Sequence, residues 1–461
     1  MNASISFHGA AETVTGSKHL LEVNGKKILI DCGLFQGARE TRAFNWEPFT
    51  FDPTELDAVI VTHAHVDHIG LLPKLVREGY KGPIYATAGT MGICKFSLPD
   101  SGRLQEEDAR HHNKHRTSRH EPALPLYTEE DAYAVLMLIR SVLYNQMVEI
   151  GAGCTIRFLP AGHILGSAMV EIYLPNGEKL LMGGDLGRFD TPIITDPTMV
   201  DAAEYLVVES TYGDRLHTEE DTEARLKEVI LTAVEYGSTV LVPSFAIGRT
   251  QELLFAISQL QIRGEIPEFP IYLDSPMAVS ATNLYQRNSE DHDIDMKAIL
   301  ADGIDPLHPK GMQVIRDRNA SKALNQQRGP MMVIAGSGMC NGGRIQHHLK
   351  ARIDDPGTVV LFVGYQATGT LGRELLEGAE FVKIFGEELE VKARIERMTS
   401  LSAHADQAEI MHWLRGFKHP PKTTFIVHGE PEPRQILAQK VRDELGWNVE
   451  TPLHHQRFPL G

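Results

Sequence analysis

The stretch Thr62-His63-Ala64-His65-Val66-Asp67-His68 puts three imidazoles and a carboxylate within six positions. It directly follows the apolar run Ala58-Val59-Ile60-Val61, which reads as a buried strand. The loop after such a strand is where an α/β protein usually places its chemistry. Imidazole and carboxylate together suit zinc, manganese or iron. Surface histidines also cluster by chance, but four ligand-type residues at H-x-H-x-D-H spacing, just past a strand, favour a metal site.

The flanking sequence repeats the device. A strand over 27–30 ends at Asp31-Cys32-Gly33, one over 155–159 at Ala161-Gly162-His163, one over 179–182 at Gly183-Gly184-Asp185, and one over 424–427 at His428-Gly429. A helix over 71–78 carries Pro73 in its first turn and Gly79 past its end. From Leu206 the alternation restarts, with strands over 206–208, 240–242, 271–273, 332–335 and 359–363 and helices over 219–236, 250–261 and 342–352. This predicts a second α/β unit with parallel pairing. Residues 190–201, with Pro192 and Pro197, form the best linker.

Bulk properties bound the reading. A chain of 461 residues exceeds one ordinary core and predicts two domains. No apolar run approaches the ~20 residues that span a bilayer, and the N-terminus lacks a basic region followed by an apolar core. The expected location is the cytoplasm, with no membrane partner. The four cysteines are widely spaced, without a C-x-x-C pair, as suits reduced thiols. The net charge of −16 argues against a generic nucleic-acid coating protein. It does not exclude a nuclease, because a metal centre brings its own positive charge. The segment 103–120 holds Arg103, Arg110, His111, His112, Lys114, His115, Arg116, Arg119 and His120, and reads either as a solvated insertion or as a substrate contact.

Singly, an Asp or His after a strand is ordinarily a turn or capping residue. Together they can fill two metal sites: His63, His65 and His163 at one, Asp67, His68 and His428 at the other, with Asp185 bridging. Two metals ~3.5–4 Å apart can share a hydroxide and clamp a phosphate. Asp31 is then expected behind the ligands, fixing a histidine through its other ring nitrogen.

These residues resemble the metallo-β-lactamase superfamily. The match rests on Asp31, the H-x-H-x-D-H motif, His163 in Ala-Gly-His-Ile-Leu-Gly-Ser and Asp185 in Gly-Gly-Asp-Leu-Gly-Arg. The resemblance implies an α/β fold, an αββα sandwich, with a di-zinc site at one edge; manganese or iron suit the same ligands. The superfamily hosts many reactions, and the cluster does not choose among them.

Three later segments narrow the choice: Glu209 in Val-Glu-Ser-Thr-Tyr-Gly, His404 in Ser-Leu-Ser-Ala-His-Ala-Asp, and His428 in Ile-Val-His-Gly-Glu. They look like the extra motifs of the β-CASP subgroup, which processes nucleic acids, and the resemblance runs to its RNA-cutting members: the mRNA 3′-end cleavage endonuclease and its prokaryotic relatives. It implies a lactamase-like domain over 1–207, an inserted β-CASP cap over 208–394 and a return segment over 395–461. A histidine at the last motif goes with RNA substrates in that subgroup. The implied function is a zinc-dependent ribonuclease cutting single-stranded RNA in a cleft between the domains, with a metal-activated hydroxide as nucleophile. Asp67 would bind metal and orient the nucleophile. His404 would be the general acid and Glu209 would keep it protonated. Other RNA-processing proteins and a homodimeric partner fit the same expectation.

The cap holds candidate phosphate contacts. Ser337, Gly338 and Met339 lie in a Gly-rich turn between a strand and a helix, where backbone N–H groups can approach an anion. A Gly-rich turn without that role is equally common, and the subgroup's phosphate-holding loop is what favours it. Arg249 and Arg373 read either as phosphate contacts or as structural ion pairs. Two other functions stay open: a small-ester or lactone metallohydrolase, against which the large second α/β unit and His404 argue, and a non-catalytic scaffold subunit, against which the full ligand set argues.

Overall fold

The computed structural model describes residues 2–118, 120–217, 221–364, 366–367, 369–398 and 402–461. Arg119 of the basic segment and Ser400 and Leu401 of the His404 motif lie outside the described residues. The chain forms two compact units, one of residues 1–190, 195–216 and 404–461, the other of 191–194 and 217–403. The expected linker is where the chain first enters the second unit, for four residues.

The first unit is built on two seven-stranded sheets. One runs in the order Arg457–Leu460, Ala3–Gly9, Lys18–Val23, Lys26–Ile30, Ala58–Ile60, Ile84–Ala86, Ile139–Ser141. The other runs Val449–Glu450, Thr423–Ile426, Tyr205–Val208, Lys179–Met182, Ala168–Tyr173, Cys154–Pro160, Met147–Gly151. Side chains alternate across a strand, and the inward set of both sheets shares one core: Ile5, Phe7, Leu21, Ile28 and Ile60 from the first, with Ile156, Phe158, Val170, Leu180, Val207 and Phe425 from the second. The outward set is buried as well. Leu181, Leu206, Val208 and Ile426 pack under the helices Gln407–Leu414 and Pro431–Leu445 through Ile410, Trp413, Leu414 and Leu437. Strands covered on both faces read as near-continuous apolar runs, which is why 179–182 and 205–208 are legible from sequence.

Beside the first sheet the helices Leu72–Arg77, Ala88–His115 and Glu129–Leu138 pack on one another. The basic segment is not a loose insertion as far as residue 115: it is the exposed second half of the long helix, and Arg103 is tied to Asp100 and Glu107. Pro99 and Gly102 obscure that helix in the sequence. Gly102 is there for packing, because a Cβ would stand 2.6 Å from the Thr128 carbonyl oxygen.

The second unit carries a six-stranded, all-parallel sheet in the order Met312–Val314, Ile271–Asp274, Met331–Ala335, Thr239–Pro243, Thr358–Phe362, Arg394–Arg397. Its helices, among them Thr222–Tyr236, Arg249–Ile262 and Gly343–Arg352, follow strands as the alternation predicts. Among the described residues no helix is long and apolar enough to cross a membrane. All four cysteines are buried and unpaired.

Candidate metal centre

Strand direction gathers the ligands. Lys26–Ile30 and Ala58–Ile60 are parallel neighbours in one sheet, and Lys179–Met182, Tyr205–Val208 and Thr423–Ile426 are parallel neighbours in the other. Asp31, His63, Asp185, Glu209 and His428 each follow the carboxyl end of one of these strands, where α/β sheets open onto their sites. His163 comes from the turn between Cys154–Pro160 and Ala168–Tyr173, fixed by its N–H donating to Ser167 Oγ at 3.0 Å.

Two clusters result. In the first, His65 Nδ1 lies 3.1 Å from His63 Nε2 and 3.0 Å from His163 Nε2. In the second, His68 Nε2 lies 3.1 Å from His428 Nε2, and His428 Nε2 lies 3.5 Å from Asp67 Oδ2. Asp185 stands between them. Its Oδ2 is 3.3 Å from His63 Nε2 and 3.6 Å from His163 Nε2, and its Oδ1 is 3.3 Å from His68 Nε2 and 3.6 Å from His428 Nδ1.

This arrangement fits divalent cations. Asp185 Oδ1 is buried without a hydrogen-bond partner, a costly state for a carboxylate unless a cation meets it. Burial, reinforced by neighbouring imidazoles, lowers the proton affinity of His63, of His65 (to about 3) and of His163. These rings are neutral at pH 7, the protonation state a metal requires. In the second cluster burial also opposes charge, but the carboxylates win: Asp185 and Asp31 raise His68, and Asp185 and Asp67 raise His428.

Groups behind the ligands set their orientation. Asp31 Oδ2 meets His68 Nδ1 at 2.7 Å, and Asp31 Oδ1 accepts the Thr62 N–H at 2.8 Å. Thr211 Oγ1 lies 3.2 Å from His428 Nδ1. Asp31 and His428 hold φ values of 60° and 50°, left-handed for residues with a Cβ; such strain, of order 1–3 kcal/mol each, persists where surrounding bonds enforce it. Gly33 is required for a close approach, since a Cβ there would lie 1.5 Å from the Asp67 carbonyl oxygen. Thr62, Thr211 and His19 have no assigned role in the sequence reading. The two hydroxyls are adjacent to motif residues, which is the signal available for them; the buried His19, lowered to about 3 by burial, carries none.

A third group adjoins the metal clusters. His404 Nδ1 lies 3.0 Å from Glu209 Oε1 and 3.9 Å from Asp185 Oδ2. Glu209 is buried and also accepts the Leu186 N–H at 2.8 Å and the Thr211 N–H at 3.2 Å. Burial alone would strip the His404 proton; the Glu209 carboxylate overrides it and raises the imidazole to about 9. His404 is thus an imidazolium at neutral pH, a proton donor beside the clusters.

Models of three families match the chain: the metallo-β-lactamase superfamily over residues 16–225, the β-CASP domain over 250–375 and the zinc-dependent metallo-hydrolase RNA specificity domain over 388–452. The chain is also 40% identical to the ribonuclease TTHA0252 of Thermus thermophilus, over 93% of each protein. The chain belongs to the β-CASP family of metallo-β-lactamase-fold hydrolases. This β-CASP hydrolase is 29% identical to the transcription termination factor FttA of Methanosarcina mazei, covering 96% of this chain and 69% of that one. It is 30% identical to FttA of Methanocaldococcus jannaschii, over 95% and 68%. A crystal structure of a protein of unknown function from Enterococcus faecalis V583 shares the fold, with a TM-score of 0.56 at 13% identity over the full length of both chains.

The phosphate candidates of this β-CASP hydrolase lie in its second unit, at the carboxyl edge of the parallel sheet. Ser337, Gly338 and Met339 sit between the strand Met331–Ala335 and the helix Gly343–Arg352. The Gly338 carbonyl accepts from Gln366 Nε2 at 2.9 Å and the Met339 carbonyl from the Gly372 N–H at 3.3 Å. Arg249 opens its helix, pairs with Glu252 at 2.7 Å and keeps Nε buried without a partner. Arg373 is exposed and pairs with Glu377 at 2.7 Å.

Proposed function

We propose that this chain is a ribonuclease that hydrolyses phosphodiester bonds of single-stranded RNA with two zinc ions. The observation that carries the reading is the Asp185 carboxylate, whose two oxygens face two separate ligand clusters while Oδ2 also lies 3.9 Å from the imidazolium of His404. His63, His65 and His163 would hold one ion, Asp67, His68 and His428 the other, and Asp185 both; a donor set rich in imidazole favours zinc, and manganese or iron suit the same donors. Bound there, the ions supply Lewis-acid neutralisation of phosphate charge and a lowered pKa for the attacking water.

The chain's own groups do the rest. The attacking water sheds a proton to solvent before attack, and Asp67 orients the resulting hydroxide toward phosphorus. As the new P–O bond forms, the P–O3′ bond breaks and the 3′ oxygen takes a proton from His404. His404 Nδ1 is engaged by Glu209, so the proton delivered is that of Nε2. The products carry a 5′ phosphate and a 3′ hydroxyl. Five of the seven ligands are buried and His65 and Asp67 are half-buried, Asp67 being 17% exposed and the adjacent His404 21%, and an unpaired strand threads a phosphate to such a centre more readily than a duplex. Residues 208–394 are the proposed cap, with Arg249, Arg373 and the turn at Ser337, Gly338 and Met339 as backbone contacts. RNA-processing proteins and a second copy of the chain are the partners this reading admits.

The test is cleavage of an end-labelled single-stranded RNA and a matched DNA by metal-loaded protein, beside His404→Ala and Asp67→Ala. RNA cut by the parent and by neither variant is the expected result. Protein that holds two metals and cuts no RNA overturns the reading.

A further inference from the structure

A second chemically distinctive cluster lies in the first unit, outside the metal centre. It is an open pocket lined by four phenylalanines, three histidines and two lysines. Its rings are arranged in pairs. Phe44 packs 5.3 Å from Phe35 and is stacked on His454 at 5.7 Å and 28°. Phe49 and Phe51 stack at 5.3 Å and 26°. Phe44 is 41% exposed, so this ring pair opens to solvent.

Positive charge sits directly behind the rings. The Lys18 ammonium lies 4.1 Å from the Phe35 centroid and donates to the carbonyls of Gly16 and Gly33, both at 3.0 Å. No carboxylate is within ion-pair distance of it among the described residues. The Lys74 ammonium lies 4.9 Å from the Phe49 centroid, and its nearest carboxylate, Glu78, is 3.8 Å away. Both lysines are buried, where an incompletely compensated cation projects its field further than at a surface. Burial lowers Lys18 only to about 8, so it stays charged at pH 7, while burial, with His455 and Lys18 nearby, lowers His8 and His454 to about 4, so they stay neutral. The lining is therefore aromatic faces over fixed positive charge, with Glu47 as the acidic residue lining the pocket.

Residues 10–17 join this pocket to the metal centre. On one side the Ala10 carbonyl accepts the His428 N–H at 2.7 Å and the Ser17 N–H donates to the Asp67 carbonyl at 2.8 Å. On the other the Glu12 carboxylate accepts the His454 N–H at 3.2 Å and Thr15 Oγ1 accepts the Gln36 N–H at 3.1 Å. Residues 10–17 therefore border both the metal clusters and the pocket.

We propose that the pocket between Phe44, His454 and Lys18 takes an unpaired nucleobase with its phosphate, a base-stacking subsite for the strand being cut. Stacking on aromatic faces is tolerant of base identity, and buried ammonium groups favour the accompanying negative charge. The inference rests on the ribonuclease reading for the strand, and on the pocket's own chemistry for the nucleotide.

The test titrates metal-loaded protein with AMP and with ribose 5-phosphate by calorimetry, for the parent, Phe44→Ala and Phe44→Tyr, and measures KM for a single-stranded RNA in parallel. The expected result is AMP binding at least about tenfold tighter than ribose 5-phosphate, weakened about tenfold to a hundredfold in Phe44→Ala. Phe44→Tyr, which keeps the ring, restores it, and KM for RNA rises in Phe44→Ala alone. Equal binding of the two probes, or AMP affinity indifferent to Phe44→Ala in protein with an unchanged melting temperature, overturns the subsite. RNA cut with an unchanged KM in Phe44→Ala overturns it as a substrate site while the ribonuclease reading stands. Phe44-dependent AMP binding with no RNA cut supports the nucleotide pocket and sinks the ribonuclease reading.

Discussion

The metal centre of the first unit and the Gly-rich edge of the second use one device, a loop at the carboxyl end of a parallel strand, and finish it differently. At the metal centre the polar atoms face each other: Asp185 Oδ1 has no hydrogen-bond partner, and neutral rings meet nitrogen to nitrogen at 3.0–3.1 Å. Other bonds run backwards, from His68 to Asp31 and from His404 to Glu209. At the Gly-rich edge the donors are largely closed on themselves, with Arg249 on Glu252, Arg373 on Glu377 and Gln366 on the Gly338 carbonyl. Open donors held from behind demand a ligand, because leaving them unpaired in a buried site is costly. Closed ones can release a bond to a phosphate only for a small net gain. The ligand set that fits a divalent cation lies in the first unit, and the contacts proposed for the second are the weaker ones.

The sharpest break of that comparison is Asp185→Ala. It removes the carboxylate common to both clusters. Several kcal/mol of transition-state stabilisation from the ions corresponds to a loss of about 10³-fold or more in kcat. Metal analysis of the purified variant should show fewer than two ions per chain. Two ions retained at full stoichiometry would mean that Asp185 is not a ligand.

His404→Ala should come next, costing about 10²–10⁴-fold in kcat with metal content unchanged. Loss of metal alongside activity would make His404 a ligand and leave the proton donor unidentified. Glu209→Gln sharpens the same point through pH. A general acid acts in its protonated form, which is complete below its pKa and lost as pH rises through it. The carboxylate is the leading group raising His404, toward about 9. Its removal should move the alkaline limb of the kcat profile to lower pH and leave the acid limb in place. An unmoved alkaline limb would show that another group donates the proton.

How much of this could be read beforehand differs between the same two regions. Asp31, the H-x-H-x-D-H residues, His163, Asp185 and His428 announce themselves because each follows a run of buried apolar residues, so spacing from a strand end carries positional information. His404 follows no such run, and Glu209 follows Leu206-Val207-Val208 but has no ligand-type neighbour beside it in the sequence. They pair across 195 residues, and a lone histidine in a polar loop has no local signature; only the family resemblance pointed to them. Thr62 and Thr211 act through hydroxyl groups too common to stand out. The strand Ala3–Gly9 goes unread although Ile5 and Phe7 alternate with Ser4 and Ser6, because the serines are themselves buried and no turn residue marks its start. In the second unit the four inner strands were legible from their apolar runs, while the half-exposed edge strands Met312–Val314 and Arg394–Arg397 were not; nor was the state of Arg249 and Arg373, since ion pairing one turn along a helix depends on side-chain geometry that spacing only permits.

The smallest effect divides those two arginines. Arg373 is exposed, and its pair with Glu377 is the surface kind worth little. Arg249 is 10% exposed and keeps a buried Nε without a partner, so one of its donors is still open in the manner of the metal centre. Arg249→Ala should therefore raise KM for RNA by about tenfold, as loss of a hydrogen bond to a charged group does, and reduce the salt dependence of binding by about one unit of slope, as loss of one phosphate contact does. Arg373→Ala should change KM by about twofold or less and leave the slope unaltered. The measurement is KM and its dependence on salt concentration for both variants against one RNA. Equal losses would show that a closed pair reopens for phosphate as readily as an open donor binds it, and the distinction between the two edges would fail where it is finest.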